Sequence, residues 1–181
     1  MKLGIIGSGM IVKEFLEIIP YLKGVELRGI YGRKSSEEKL KKIKNENNIK
    51  EIFYDYEKLL KSDIDTVYIA LPNNLHFEFS KKALEANKNV IVEKPITSNY
   101  TEAKILSNLA RERRLFIFEA ITTEYLPNYL KIKELIPKLG EIKIVQCNYS
   151  QYSSRYSSFK EGRVMPAFNP EFSGGALVDI N

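Results

Sequence analysis

Lys2-Leu3-Gly4-Ile5-Ile6-Gly7-Ser8-Gly9-Met10-Ile11-Val12 opens the chain with an apolar run, a glycine-bounded turn and the start of a helical period. Lys2–Ile6 is brief and mostly apolar, as a strand buried on both faces should be. Val12, Phe15, Leu16 and Ile19 then follow the i, i+3, i+4, i+7 spacing of one helix face. Between strand and helix, Gly7 permits a tight turn, and Gly9 lets backbone approach a pyrophosphate seated on the helix N-terminus. Gly7, Ser8, Gly9, Met10 and Ile11 are therefore candidate cofactor-binding residues. The third glycine of the dinucleotide fingerprint is Val12 here, and glycines at such turns are often merely structural. The motif draws its weight from its place, directly after the first strand.

The alternation continues outward from this turn. Glu26–Tyr31, Thr66–Ala70, Val90–Val92 and Leu115–Phe118 are further short runs rich in Val, Ile, Phe and Tyr. Phe79, Ala83 and Ala86 make a second helical stripe, and Ala103, Leu106 and Ala110 a third. Pro20, Gly24, Pro72, Pro95 and Thr97-Ser98-Asn99 supply the breaks. Strand–helix alternation at this tempo means right-handed βαβ units, and so an α/β fold with a doubly wound parallel Rossmann sheet. The tempo changes near Glu119–Thr122. Tyr129, Ile132 and Ile136 predict one more helix, ending near Gly140, and Glu141–Tyr149 then reads as a longer strand. The Ser/Tyr-rich stretch Ser150–Ser158 carries little structural signal. This predicts a dinucleotide-binding domain over residues 1–120 and the incomplete start of an α+β substrate domain over 121–181.

Composition narrows the function classes. A hydrophobic share of 44% supplies a real core, and a charged share of 28% argues against wholesale disorder. No run of about 18 apolar residues occurs, so no membrane helix is expected. The first seven residues lack the basic stretch, long apolar run and small-residue cleavage site of a signal peptide. Cys147 is the single cysteine, so neither an internal disulfide nor a cysteine-built metal site is expected. Together these features predict a cytoplasmic setting and no bound metal. The net charge is +5, and the span 33–50 alone holds seven Lys or Arg against three Glu. Leu40 and Ile43 sit among those charges at helical spacing, with no aromatics interleaved. A solvated helix face explains the charge better than a nucleic-acid surface.

Cofactor choice is written at the end of the second strand. There Gly29-Ile30-Tyr31-Gly32-Arg33-Lys34-Ser35 offers two cations and no carboxylate before Glu37. A carboxylate would accept from a ribose 2′-OH, whereas Arg33, seconded by Lys34, suits a 2′-phosphate. NADP is the expected cofactor, with NAD the alternative; the plainer reading is a surface pair opening a basic helix. Two more clusters follow strands, Leu71-Pro72-Asn73-Asn74-Leu75-His76 and Glu93-Lys94-Pro95. Lys94 is one of 21 lysines and His76 could simply lie in a helix's first turn. Their shared position on the carboxyl edge, where open α/β sheets bind ligands, sets them apart.

Gly7-Ser8-Gly9, the Leu71–His76 run, Glu93-Lys94-Pro95, Glu119-Ala120 and Gly174-Gly175-Ala176-Leu177-Val178-Asp179 occur in the order of one family. The chain resembles the glucose–fructose oxidoreductase / inositol dehydrogenase (Gfo/Idh/MocA) family, nearest the dihydrodiol and D-xylose dehydrogenase branch. The resemblance implies an NAD(P)-dependent dehydrogenase or reductase acting on a sugar, cyclitol or diol. It implies that Lys94 sits beside the nicotinamide and touches the reacting oxygen, and that Asp179 supports catalysis. By the same resemblance Leu71, Pro72, Asn73, His76 and Glu93 line the nicotinamide half of the cofactor, and Arg33 matches the arginine of NADP-preferring members.

Family members continue past the equivalent of Asp179, adding a large open sheet and a Tyr or His close behind that aspartate. The expectation is therefore a C-terminally truncated member that binds cofactor weakly and turns over little alone. Such members pair through the large sheet, so a homo-oligomer of this chain would need different or partial contacts. The competing readings are a non-catalytic NADP(H)-binding sensor or regulatory module and a redox-neutral glycosidase using bound NAD.

Overall fold

Alternate side chains of the first strand enter two different cores. The computed structural model describes residues 1–150, 152–153 and 155–175. Its centre is a six-stranded parallel sheet of β1 (Lys2–Ile6), β2 (Glu26–Tyr31), β3 (Glu51–Phe53), β4 (Thr66–Ile69), β5 (Asn89–Glu93) and β6 (Ile117–Ala120). The strand order is β3-β2-β1-β4-β5-β6. Leu3 and Ile5 pack with Val12 and Leu16 of helix α1 (Met10–Ile18) and with Leu40 and Ile43 of α2 (Glu37–Glu46). Ile6, Val67, Ile69, Val90 and Val92 pack on the other face, against α3 (Tyr56–Leu60), α4 (His76–Glu85) and α5 (Tyr100–Arg113). Every residue of β4 is buried, the pattern of a strand covered on both faces. Each aliphatic side chain so buried contributes about 1.5–3 kcal/mol.

The basic stretch is the solvated face of α2. Leu40 and Ile43 are buried, while Lys34 and Lys41 lie 2.8 and 3.1 Å from Glu37 and Lys42 lies 3.8 Å from Glu46. These exposed pairs neutralise the cations locally and add little stability.

Several boundaries differ from the sequence expectation. The last strand begins two residues later than Leu115, because Arg114 closes α5 in a left-handed conformation (φ 56°) and Leu115 N–H still bonds Ala110 O at 2.8 Å. β3 and α3 carry no periodicity long enough to read. The signal for α3 is its cap: Asp55 accepts from the N–H groups of Glu57 and Lys58. Beyond β6, α6 (Pro127–Leu135) occupies the expected helical stretch. The strand expected over Glu141–Tyr149 is absent. Strand pairing needs ladder partners, and no neighbouring strand among the described residues supplies them. Part of the Ser/Tyr-rich stretch forms a short helix, α7 (Tyr156–Lys160). No helix among the described residues is long and apolar enough to cross a membrane.

Candidate functional site

All six strands close in register: Phe53, Tyr31, Ile6, Ile69, Val92 and Glu119 form one transverse row at, or one residue before, the strand ends. Parallel strands lie about 4.8 Å apart, so the turns that follow stand side by side along one edge. The strand order reverses between β1 and β4, which opens a crevice beyond their carboxyl ends. The turns after β2, β1, β4 and β5 carry Arg33, Gly7–Gly9, Leu71–Asn73 and Lys94 respectively, all around that crevice.

Gly7 is required by the crowding of β1 against β4. Its φ is +113°, and a Cβ there would lie 2.4 Å from Ala70 O. Gly7 N–H bonds Tyr31 O at 3.0 Å, tying the turn to β2 as well. Gly9 is different. It is the N-cap of α1 with φ −71°, and a Cβ built on it meets nothing within 4 Å. No side chain caps α1, no carboxylate stands in its first turn, and Met10 and Ile11 are exposed. The N–H groups of that turn thus face open space, where the helix dipole favours an anion. The residues present fit the pyrophosphate of a dinucleotide, because the space a Cβ of residue 9 would fill has been left clear.

Past β2, Arg33 is exposed and makes no ion pair or hydrogen bond through its side chain among the described residues. Lys34 is engaged: its ammonium lies 2.8 Å from Glu37 and 4.6 Å from the centre of the Tyr54 ring. The hydrogen bond to Glu37 holds Lys34 above its ordinary lysine value, and Lys34 and Lys41 hold Glu37 below the usual carboxylate range. The first carboxylate after β2 is therefore taken up by the neighbouring cations Lys34 and Lys41.

The turns after β4 and β5 are pinned together. His76 is fully buried, with Nδ1 2.7 Å from Pro95 O and Nε2 2.9 Å from Leu71 O. The family resemblance implies His76 at the nicotinamide half of the cofactor; its ring lies behind the surface, with a backbone oxygen at each ring nitrogen. Leu71, Pro72 and Asn73 are half-buried at the crevice, and the Asn73 amide donates to Ser173 O at 3.0 Å. Glu93 accepts from the Tyr68 hydroxyl at 2.6 Å. Burial, reinforced by that bond, pushes the Tyr68 phenol well above its ordinary value. Lys94 is exposed, and the Lys94–Pro95 peptide is cis. The next N–H, of Ile96, donates to Glu119 Oε1 at 2.8 Å.

Tyr68, Glu119 and Ser173 support the site without having been singled out as site residues from sequence. A phenol in the Val/Ile run of β4 is a readable signal; nothing local marks Ser173. Gly174 is buried and Gly175 has φ +106°, while Asp179 lies outside the described residues. Among the described residues no three metal-ligating side chains cluster.

A doubly wound sheet with a glycine turn and an open helix N-terminus at its switch point defines a dinucleotide-binding α/β protein. The chain belongs to the Gfo/Idh/MocA family, whose model, described as an oxidoreductase family with an NAD-binding Rossmann fold, matches residues 1–120. It is 37% identical over 181 residues to an uncharacterised oxidoreductase, YgjR, of Escherichia coli, covering 99% of this chain and 55% of that protein. It is 35% identical to the scyllo-inositol 2-dehydrogenase (NADP(+)) IolU of Bacillus subtilis, with the same two coverages of 99% and 55%. Among solved structures, a 3-ketoreductase from Actinomadura kijaniata in complex with NADP and TDP-benzene superposes with a TM-score of 0.71 at 28% identity, over 76% of this chain and 42% of that one. The chain spans about half the length of the curated relatives it matches.

Proposed function

We propose that this chain carries the cofactor half and the reactive lysine of an NAD(P)-dependent oxidoreductase that acts on a carbinol or carbonyl carbon of a sugar, cyclitol or diol. On this reading residues 1–120 hold the dinucleotide, and 121–181 begin the part that meets substrate. The observation that carries it is the convergence of three turns, Gly7–Gly9, Leu71–Asn73 and Glu93–Pro95, on one crevice beside an uncapped helix N-terminus. The substrate class follows the relatives, one named for an inositol and another for ketone reduction.

The nicotinamide, when bound, takes hydride from the carbinol carbon or returns it to the carbonyl. The chain's own residues do the rest. First-turn N–H groups of α1 hold the pyrophosphate, and Gly9 admits it to contact. Arg33 forks onto the 2′-phosphate, which makes NADP the favoured cofactor. The Leu71-Pro72-Asn73 turn walls the nicotinamide side. Lys94 meets the reacting oxygen, taking its proton as the alcohol is oxidised and returning it in reduction, so that alkoxide charge never stands unpaired.

Fluorescence titration with NADPH and NADH at one salt concentration tests the reading. The expected result is saturable binding of NADPH at least tenfold tighter than NADH, with Arg33→Ala abolishing the difference, since a charge-assisted hydrogen bond is worth about 1.5–3 kcal/mol. Binding of neither nucleotide would remove the reading.

A further inference from the structure

His76 is the chain's one histidine, and it is enclosed completely at the start of α4. The two oxygens that flank its ring belong to different turns of the carboxyl edge. Leu71 O, 2.9 Å from Nε2, leads the turn after β4; Pro95 O, 2.7 Å from Nδ1, follows Lys94 directly. A neutral imidazole donates through one nitrogen in each tautomer, and the imidazolium through both. Both partners are acceptors, so either neutral tautomer bonds one carbonyl and merely abuts the other, while the imidazolium bonds both. The ring is fully buried, so any effect on chemistry must pass through backbone.

We propose that His76 is a positioning residue, a rigid crossbar that sets the distance between the Leu71-Pro72-Asn73 turn and the Lys94-Pro95 turn, and hence the slot for the nicotinamide half of NADP(H). The proposal rests on the dinucleotide reading above and assigns this residue a role the fold alone does not need. The far side of each turn is anchored separately, Asn73 to Ser173 O and Ile96 N–H to Glu119. With both outer anchors fixed, the planar ring of His76 defines the inner separation. An apolar side chain of similar volume would fill the space but hold neither carbonyl.

The test compares NADPH with 2′-phospho-ADP-ribose, which keeps the adenine half and pyrophosphate but lacks nicotinamide. His76→Leu should weaken NADPH binding about tenfold, the worth of one buried hydrogen bond, while 2′-phospho-ADP-ribose stays within about twofold. Equal losses for both ligands would reduce His76 to a general structural part and overturn the proposal, as would no loss at all. If His76→Leu fails to fold, the native chain still decides, because its single imidazole gives unambiguous nitrogen resonances. NADPH should move those signals and 2′-phospho-ADP-ribose should leave them in place; the same response to both ligands, or none to bound NADPH, overturns the proposal. A native chain that binds neither ligand removes the dinucleotide reading itself, a failure distinct from the failure of His76 to discriminate.

Discussion

Gly7→Ala and Gly9→Ala form a matched pair in which one methyl group should damage the fold and the other only the ligand site. At Gly7 the backbone stands at φ +113°, a region L-residues rarely adopt, at a cost of about 1–3 kcal/mol. The added Cβ would also lie 2.4 Å from Ala70 O and 3.2 Å from its carbonyl carbon. Relief requires moving the β1 turn away from β4 by most of an ångström, and overpacking of that kind costs a further ~1–3 kcal/mol. The sum, about 2–6 kcal/mol, is a large part of the total stability of an ordinary domain. At Gly9 the backbone is unstrained and the new methyl touches nothing. Ala is a poorer N-cap than Gly by roughly 0.5–1 kcal/mol but restricts the unfolded chain by a similar amount, so the two effects cancel to within about 0.5 kcal/mol. Its methyl nevertheless projects where the pyrophosphate would sit. Urea unfolding followed by far-UV circular dichroism should therefore show a lowered midpoint with unchanged slope for Gly7→Ala and a native midpoint for Gly9→Ala. NADPH titration of the folded Gly9→Ala protein should show at least a tenfold loss. Stability of Gly7→Ala within about 0.5 kcal/mol of native would refute the clash argument, and native NADPH affinity in Gly9→Ala would refute the placement of the anion.

Other outcomes follow from the same geometry. Lys94→Ala should leave NADPH affinity within about threefold; in a longer form of the protein that turns over a polyol it should lower turnover at least a hundredfold, and retained turnover there takes Lys94 out of the chemistry. Lys34→Ala should weaken NADPH much less than Arg33→Ala, because Glu37 and the Tyr54 ring already occupy the Lys34 ammonium; parallel titrations at low salt compare them. Burial, helped by the bond to Glu93, keeps the Tyr68 phenol protonated in the fold, whereas unfolded tyrosine ionises near pH 10. The folded state then holds the extra proton, so its contribution is intact below about pH 10 and stability falls above it, by about 1.4 kcal/mol per pH unit for each such phenol. Tyr68→Phe should flatten the alkaline limb of urea stability by that amount; an unchanged limb would mean that Tyr68 ionises freely in the native state.

Legibility in the sequence followed the range of the contacts involved. β1 and β2 are legible to the residue because their apolar character sits in a few adjacent positions and both end at glycine-bearing turns. β6 begins later than its sequence suggests because the residues just before it share its apolar, aromatic character. Only the left-handed turn at Arg114 and the pairing of Val90 with Ile117 decide where the ladder begins. β3 is three residues long, below any period, and the cap of Asp55 was the one local trace of the helix after it. The strand expected over Glu141–Tyr149 shows the converse: a β-rich run makes a strand only where a partner offers its ladder.

At the site the same rule separates turns from the residues that hold them. Parallel strands bring every C-terminal turn to one edge, so Gly7–Gly9, Arg33, Leu71–Asn73 and Lys94 could be grouped from order alone. What each side chain does there depends on partners remote in sequence: His76 on oxygens 5 and 19 residues away, Glu93 on a phenol 25 residues away, Asn73 on a carbonyl 100 residues away. His76 shows the consequence most directly. A histidine at the opening of a helix beside a ligand crevice reads equally as a ligand contact or as a brace, and one-dimensional spacing cannot separate the two. The carbonyl at each ring nitrogen and the complete burial of the ring are what favour the brace, since no ring nitrogen is turned toward the crevice.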